Sequence, residues 1–60
     1  MHVGREIEGF LRRTGMPATK FGRLAVNDPR FVLDLRMGRE PRPHTAARVI
    51  DFIAAQEHAR

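Results

Sequence analysis

Three features of the sequence predict an all-α fold, a compact bundle of four short helices with a possible fifth turn at the C-terminal end. Apolar residues recur at helical spacing. Clusters of Gly and Pro divide the chain into four pieces. No segment alternates with period two for long enough to read as a strand. The whole chain, residues 1–60, is expected to be a single domain, since sixty residues leave no room for a second.

The first helix is expected over about residues 4–14, where Val3, Ile7, Phe10 and Leu11 fall at i, i+4, i+7 and i+8. Glu6 and Glu8 near its start and Arg12 and Arg13 near its end suit the helix dipole, and Gly15 is placed to stop it. A second helix is expected over about 18–25, with Phe21, Leu24 and Ala25 on its inner face and Lys20 and Arg23 off it. A third is expected over about 29–37. There Asn27 or Asp28 can cap, Pro29 suits the first helical position, Val32 and Leu35 with Phe31 form the apolar stripe, and Gly38 ends the run. The fourth is expected over about 43–57, with Ala46, Val49, Ile50 and Ile53 at i, i+3, i+4 and i+7. Residues 31–35 have strand-like propensity, but the Asp-Pro start and glycine stop favour a helix.

Composition narrows the function. The chain has no cysteine, so no disulfide staples it, and His2, His44 and His58 lack the spacing of a structural zinc site. A domain this small buries only about 60% of its unfolded surface, so efficient helix packing, a partner subunit, or both must supply stability. No apolar run reaches membrane-spanning length and the charged N-terminus does not read as a signal peptide, so a cytoplasmic location is the expectation. Little scaffold remains to enclose a catalytic pocket. Glu6 and Glu8 do not share a helix face, Thr45, His44 and Asp51 make no convincing triad, and no glycine pattern suggests a nucleotide loop. The expectation is a protein that is not an enzyme and uses no cofactor or metal.

Eleven Lys and Arg against seven Asp and Glu give a net charge of +4. The excess is spread through the body of the domain, at Lys20, Arg23, Arg30, Arg36, Arg39 and Arg42, instead of forming a tail. Such a domain attracts polyanions. Two short helices about a tight connection, the second capped and followed by a basic Gly/Pro loop, match the plan of a helix-turn-helix.

Residues 18–54, ATKFGRLAVNDPRFVLDLRMGREPRPHTAARVIDFIA, resemble the lambda-repressor/Cro-like helix-turn-helix family. Phe21-Gly22 stand where that family has a large apolar residue followed by a small one that lets two helices cross closely. Val32 and Leu35 stand at the apolar positions of its recognition helix, Gly38 at its end, and Thr45–Ile53 in the next helix. The chain departs from the pattern at Val26-Asn27, where the family usually has Gly then an apolar residue, and at Asp28-Pro29-Arg30, where it often has small polar residues.

The resemblance implies a small Cro-type repressor of transcription that binds double-stranded DNA as a homodimer, with helix 29–37 in the major groove. Arg30, Leu33 and Asp34 are the expected base readers: Arg30 for guanine, Leu33 for a thymine methyl, Asp34 for cytosine N4. For Asp34 the ordinary alternative is an ion pair with Arg30 at i, i+4. Thr19, Lys20, Arg36, Arg39 and Arg42 are expected on phosphates. Phe31 is expected in the core. Phe52, lying off the stripe of the fourth helix, is a candidate dimer contact, whereas His44 and Arg48 read as solvated. The competing expectation is a helix-turn-helix fold used as an adaptor or antitoxin-like protein-binding module. RNA binding is disfavoured, because no exposed aromatic platform is evident and Tyr and Trp are absent.

Overall fold

The computed structural model describes residues 3–58; the remaining ends of the expected 1–60 domain, His2 among them, lie outside the described residues. Four helices follow one another: α1 (Val3–Thr14), α2 (Ala18–Val26), α3 (Phe31–Arg36) and α4 (Pro43–His58). No strand occurs among the described residues, and α4 runs on to His58 without a separate fifth turn.

Each stop has a physical cause. Gly15, at φ 74°, takes the left-handed conformation that closes α1, its N–H donating to the Leu11 carbonyl at 2.8 Å. Gly38, at φ 104°, turns the chain away from α3. The first helix presents Val3, Ile7, Phe10 and Leu11 inward, as its spacing predicts. These join Phe21, Ala25, Phe31, Val32, Val49 and Ile53 in one core, with Leu35, Ala46 and Ile50 packed partly buried against it. Helices of six and nine residues are unstable alone. Here they persist because Phe21, Phe31 and Val32 are sealed under α1 and α4.

The corner between α2 and α3 is a close backbone contact. Gly22 faces the Asp28 backbone so closely that a Cβ at that position would overlap the Asp28 carbonyl oxygen and stand 3.3 Å from the Phe31 Cβ. The small residue therefore permits the close approach that the Phe21-Gly22 pair implied. Turning Gly22 toward α3 carries Leu24 away from the core. Leu24, expected on the inner face, is 52% exposed, because Phe21, Gly22 and Ala25 set the buried side of α2.

The turn differs from the expected capping pattern. Asn27 adopts the left-handed conformation (φ 58°, ψ 34°), one position after the expected place of the glycine. Asparagine accepts this conformation better than other non-glycine residues do. Its N–H donates to the Arg23 carbonyl and the Asp28 N–H to the Gly22 carbonyl, which closes α2. The Asp28 carboxylate then accepts the Arg30 N–H at 2.9 Å, and its carbonyl accepts the Phe31 N–H at 3.1 Å. Pro29 and Arg30 thus belong to a turn, and α3 begins at Phe31 instead of residue 29.

Phe52, the candidate dimer contact, is half-buried and packs within its own protomer. Its ring lies 5.4 Å from that of Phe21 at 87° and 6.3 Å from that of Phe10, and the Phe10 and Phe21 rings are 5.5 Å apart. The three rings make tilted and edge-to-face contacts, each pair worth about 0.5–1.5 kcal/mol beyond its buried area. Its place off the α4 stripe is thereby explained within one protomer, without a second copy.

Candidate nucleic-acid interface

The candidate interface is the outer side of the α2–α3 corner and the loop into α4. With Phe31 and Val32 buried, α3 is oriented so that Leu33 is 42% and Met37 87% exposed, one helical turn apart. Arg30 is exposed at the entry to α3, and no ion pair holds it among the described residues. Thr19 and Lys20 are exposed in the first turn of α2, a helix that carries no acidic residue. Their backbone amides sit at the positive end of that helix.

The expected cations divide into two groups. Arg36 is exposed but already paired. Its Nε and Nη2 donate to the two carboxylate oxygens of Glu8 on α1 at 2.7 and 2.9 Å. This fork-on-fork pair ties α3 to α1. The Arg36 hydrogen bond holds the Glu8 carboxyl below the usual carboxylate range; burial opposes it, and the charges of Arg36 and Arg12 add to it. The same contact raises the Arg36 guanidinium. Arg39 donates from Nη1 to Asp34 Oδ2 at 2.9 Å, and its N–H donates to the Asp34 carbonyl at 3.1 Å. Asp34, expected to read bases or to pair with Arg30, is instead joined to Arg39 across the Gly38 turn. Arg30 meets Asp34 only through the backbone, its carbonyl accepting the Asp34 N–H at 2.9 Å, while the Asp34 carboxylate is taken by Arg39.

Arg42 keeps its side chain exposed, and its carbonyl accepts the Ala46 N–H as α4 begins. It lines a cleft of about 390 Å³ together with His44, Thr45 and Arg48. His44 and Arg48 are four residues apart on α4, so their shared face was available from spacing alone. Asp28 and Glu40 line the same cleft and offset part of its positive charge.

Of the expected site residues, then, Arg30, Leu33, Thr19, Lys20 and Arg42 present open side chains, while Arg36, Arg39, Asp34 and Phe52 are engaged within the protomer. Met37 was not anticipated at all. No group of three or more His, Cys, Asp or Glu among the described residues can hold a metal ion. No helix among them is long and apolar enough to cross a membrane. The chain matches no protein-family model, no curated protein and no solved structure.

Proposed function

We propose that the chain is a small sequence-specific DNA-binding regulator of the Cro-type repressor kind, acting as a homodimer through the outer face of α3. The observation that carries this reading is the α2–α3 corner. Gly22 lies against the Asp28 backbone and α3 is anchored by Phe31 and Val32, so its other face stays bare beside unpaired cations. That is the arrangement a helix-turn-helix uses to enter a major groove. Among the base-reading candidates, Arg30 is the one with an uncommitted guanidinium, suited to guanine O6 and N7. Leu33 offers an apolar contact to a thymine methyl. Asp34 takes part only together with Arg39, as a hydrogen-bonded unit that accepts from cytosine or excludes other bases. Thr19, Lys20 and Arg42 position the backbone.

One observation favours a second reading. Leu33 and Met37 give α3 an exposed apolar edge, which also suits a protein partner. Anisotropy of a labelled random-sequence duplex, titrated with salt, separates the two. DNA binding predicts that the log of affinity falls by about 0.9 per decade of salt for each phosphate neutralised. A flat, weak response would move the proposal to the protein-binding module.

A further inference from the structure

We infer that a second copy of this chain docks by inserting its Met37 into the groove between the start of α1, the end of α3 and α4. The inference deepens the dimer part of the reading above and is independent of its DNA part. The groove has a volume of about 770 Å³, and Val3, Leu35, Ala46, Ala47 and Ile50 supply its apolar walls. Gly38 borders it without a side chain. Met37 lies between Leu35 and Gly38 in the chain, and is the most exposed of the large apolar side chains among the described residues, at 87%.

A lone exposed apolar residue is ordinary. An apolar knob beside an apolar hole is less so. A two-fold axis makes both halves of an interface identical, so a knob next to its own hole lets each copy fill the other's. Methionine is well suited to the task, since its unbranched, polarizable side chain adapts to irregular apolar gaps.

Charge points to the same occupant. The groove is bordered by Arg5 from α1, by Arg39 and Glu40 from the loop, and by Asp51 from α4. Both signs on one rim are self-complementary under a two-fold, whereas a rim of one sign would repel its own copy.

Sedimentation equilibrium of the full chain, without nucleic acid and over a roughly hundredfold concentration range, tests the inference. The wild type should pass from monomer to dimer mass. Met37→Lys and Ala47→Glu, both at exposed positions, should each weaken dimerisation by about tenfold or more, with helical circular dichroism unchanged. Leu33→Lys, one turn back on α3 and outside the groove, should dimerise as the wild type does. A wild type that stays monomeric throughout overturns the inference and leaves the groove to a different protein. So does a dimer indifferent to Met37→Lys and Ala47→Glu, or one lost equally in Leu33→Lys. A dimer that has these properties but does not bind duplex DNA would retain this inference and remove the DNA reading.

Discussion

The α1–α4 side and the α2–α3 corner are held together by different means. Between α1 and α4, side chains carry the contact: Ile7, Phe10, Val49 and Ile53 share the core, Phe52 closes the ring cluster, and Arg13 pairs with Glu57 at 2.7 Å. At the corner, the decisive feature is the absence of a side chain at Gly22 and a backbone conformation at Asn27. The difference shows how one small domain divides its tasks. The side-chain frame encloses the core from two sides, while the backbone corner sets the angle at which the outer face of α3 meets solvent. The frame should therefore answer to lost volume and the corner to added volume.

The largest expected effect comes from removing the ring that both regions share. Phe21→Ala should cost about 3–5 kcal/mol, enough to unfold a chain this small, as measured by thermal or urea denaturation. Gly22→Ala should cost about 1–3 kcal/mol or more despite Ala being the better helix former, because the new methyl meets backbone that cannot rotate aside. If Gly22→Ala is instead stabilising, the corner is not the close contact described here. Asn27→Ala should cost about 1 kcal/mol, whereas Asn27→Gly should be nearly neutral.

A small stability effect is expected at the tie between α1 and α3. The Arg36–Glu8 side chains are about half exposed, so Glu8→Gln should cost at most about 1 kcal/mol near neutral pH. Glu8 has its folded pKa below the unfolded value. Its contribution should be complete above the unfolded value of about 4.5 and disappear as pH falls through the lower folded value. Glu8→Gln should remove that part of the acid sensitivity, which denaturation as a function of pH would show.

The division among cations has its own consequence for binding. Lys20→Gln and Arg42→Gln should each reduce the salt slope of duplex binding by about 0.9 per protomer. Arg36→Gln should leave the slope nearly unchanged, because that guanidinium is held by Glu8. Equal slope losses from Arg36 and Lys20 would erase the distinction between tied and open cations.

Much of this molecule was legible in its sequence, and the parts that were not share a cause. Four helices were readable because apolar spacing and Gly or Pro stops are local signals, and Ile7, Phe10, Val49 and Ile53 lie where that spacing puts them. Leu24 misled, since periodicity describes a face but not how a tight neighbour turns it. Residue 27 was the harder case. Glycine marks left-handed backbone openly, whereas asparagine serves equally as a cap, so Asn27 was read as a start of α3 instead of the end of α2. The fates of the arginines were least visible. Arg36 finds its partner 28 residues away in the chain, and Arg39 finds Asp34 only once the Gly38 turn is made. Phe52 similarly needed the positions of Phe10 and Phe21 before its place off the stripe made sense.

The most direct test of the central claim is selection from a random duplex DNA pool at near-physiological salt, run in parallel with wild-type protein and Arg30→Gln. The account predicts one enriched inverted repeat, with half-sites about one helical turn apart, and loss of a guanine preference at one position of each half-site in the variant. Failure of the wild type to enrich any motif would contradict the account. So would an identical motif from Arg30→Gln, which would show that the open guanidinium at the entry to α3 does not read the sequence.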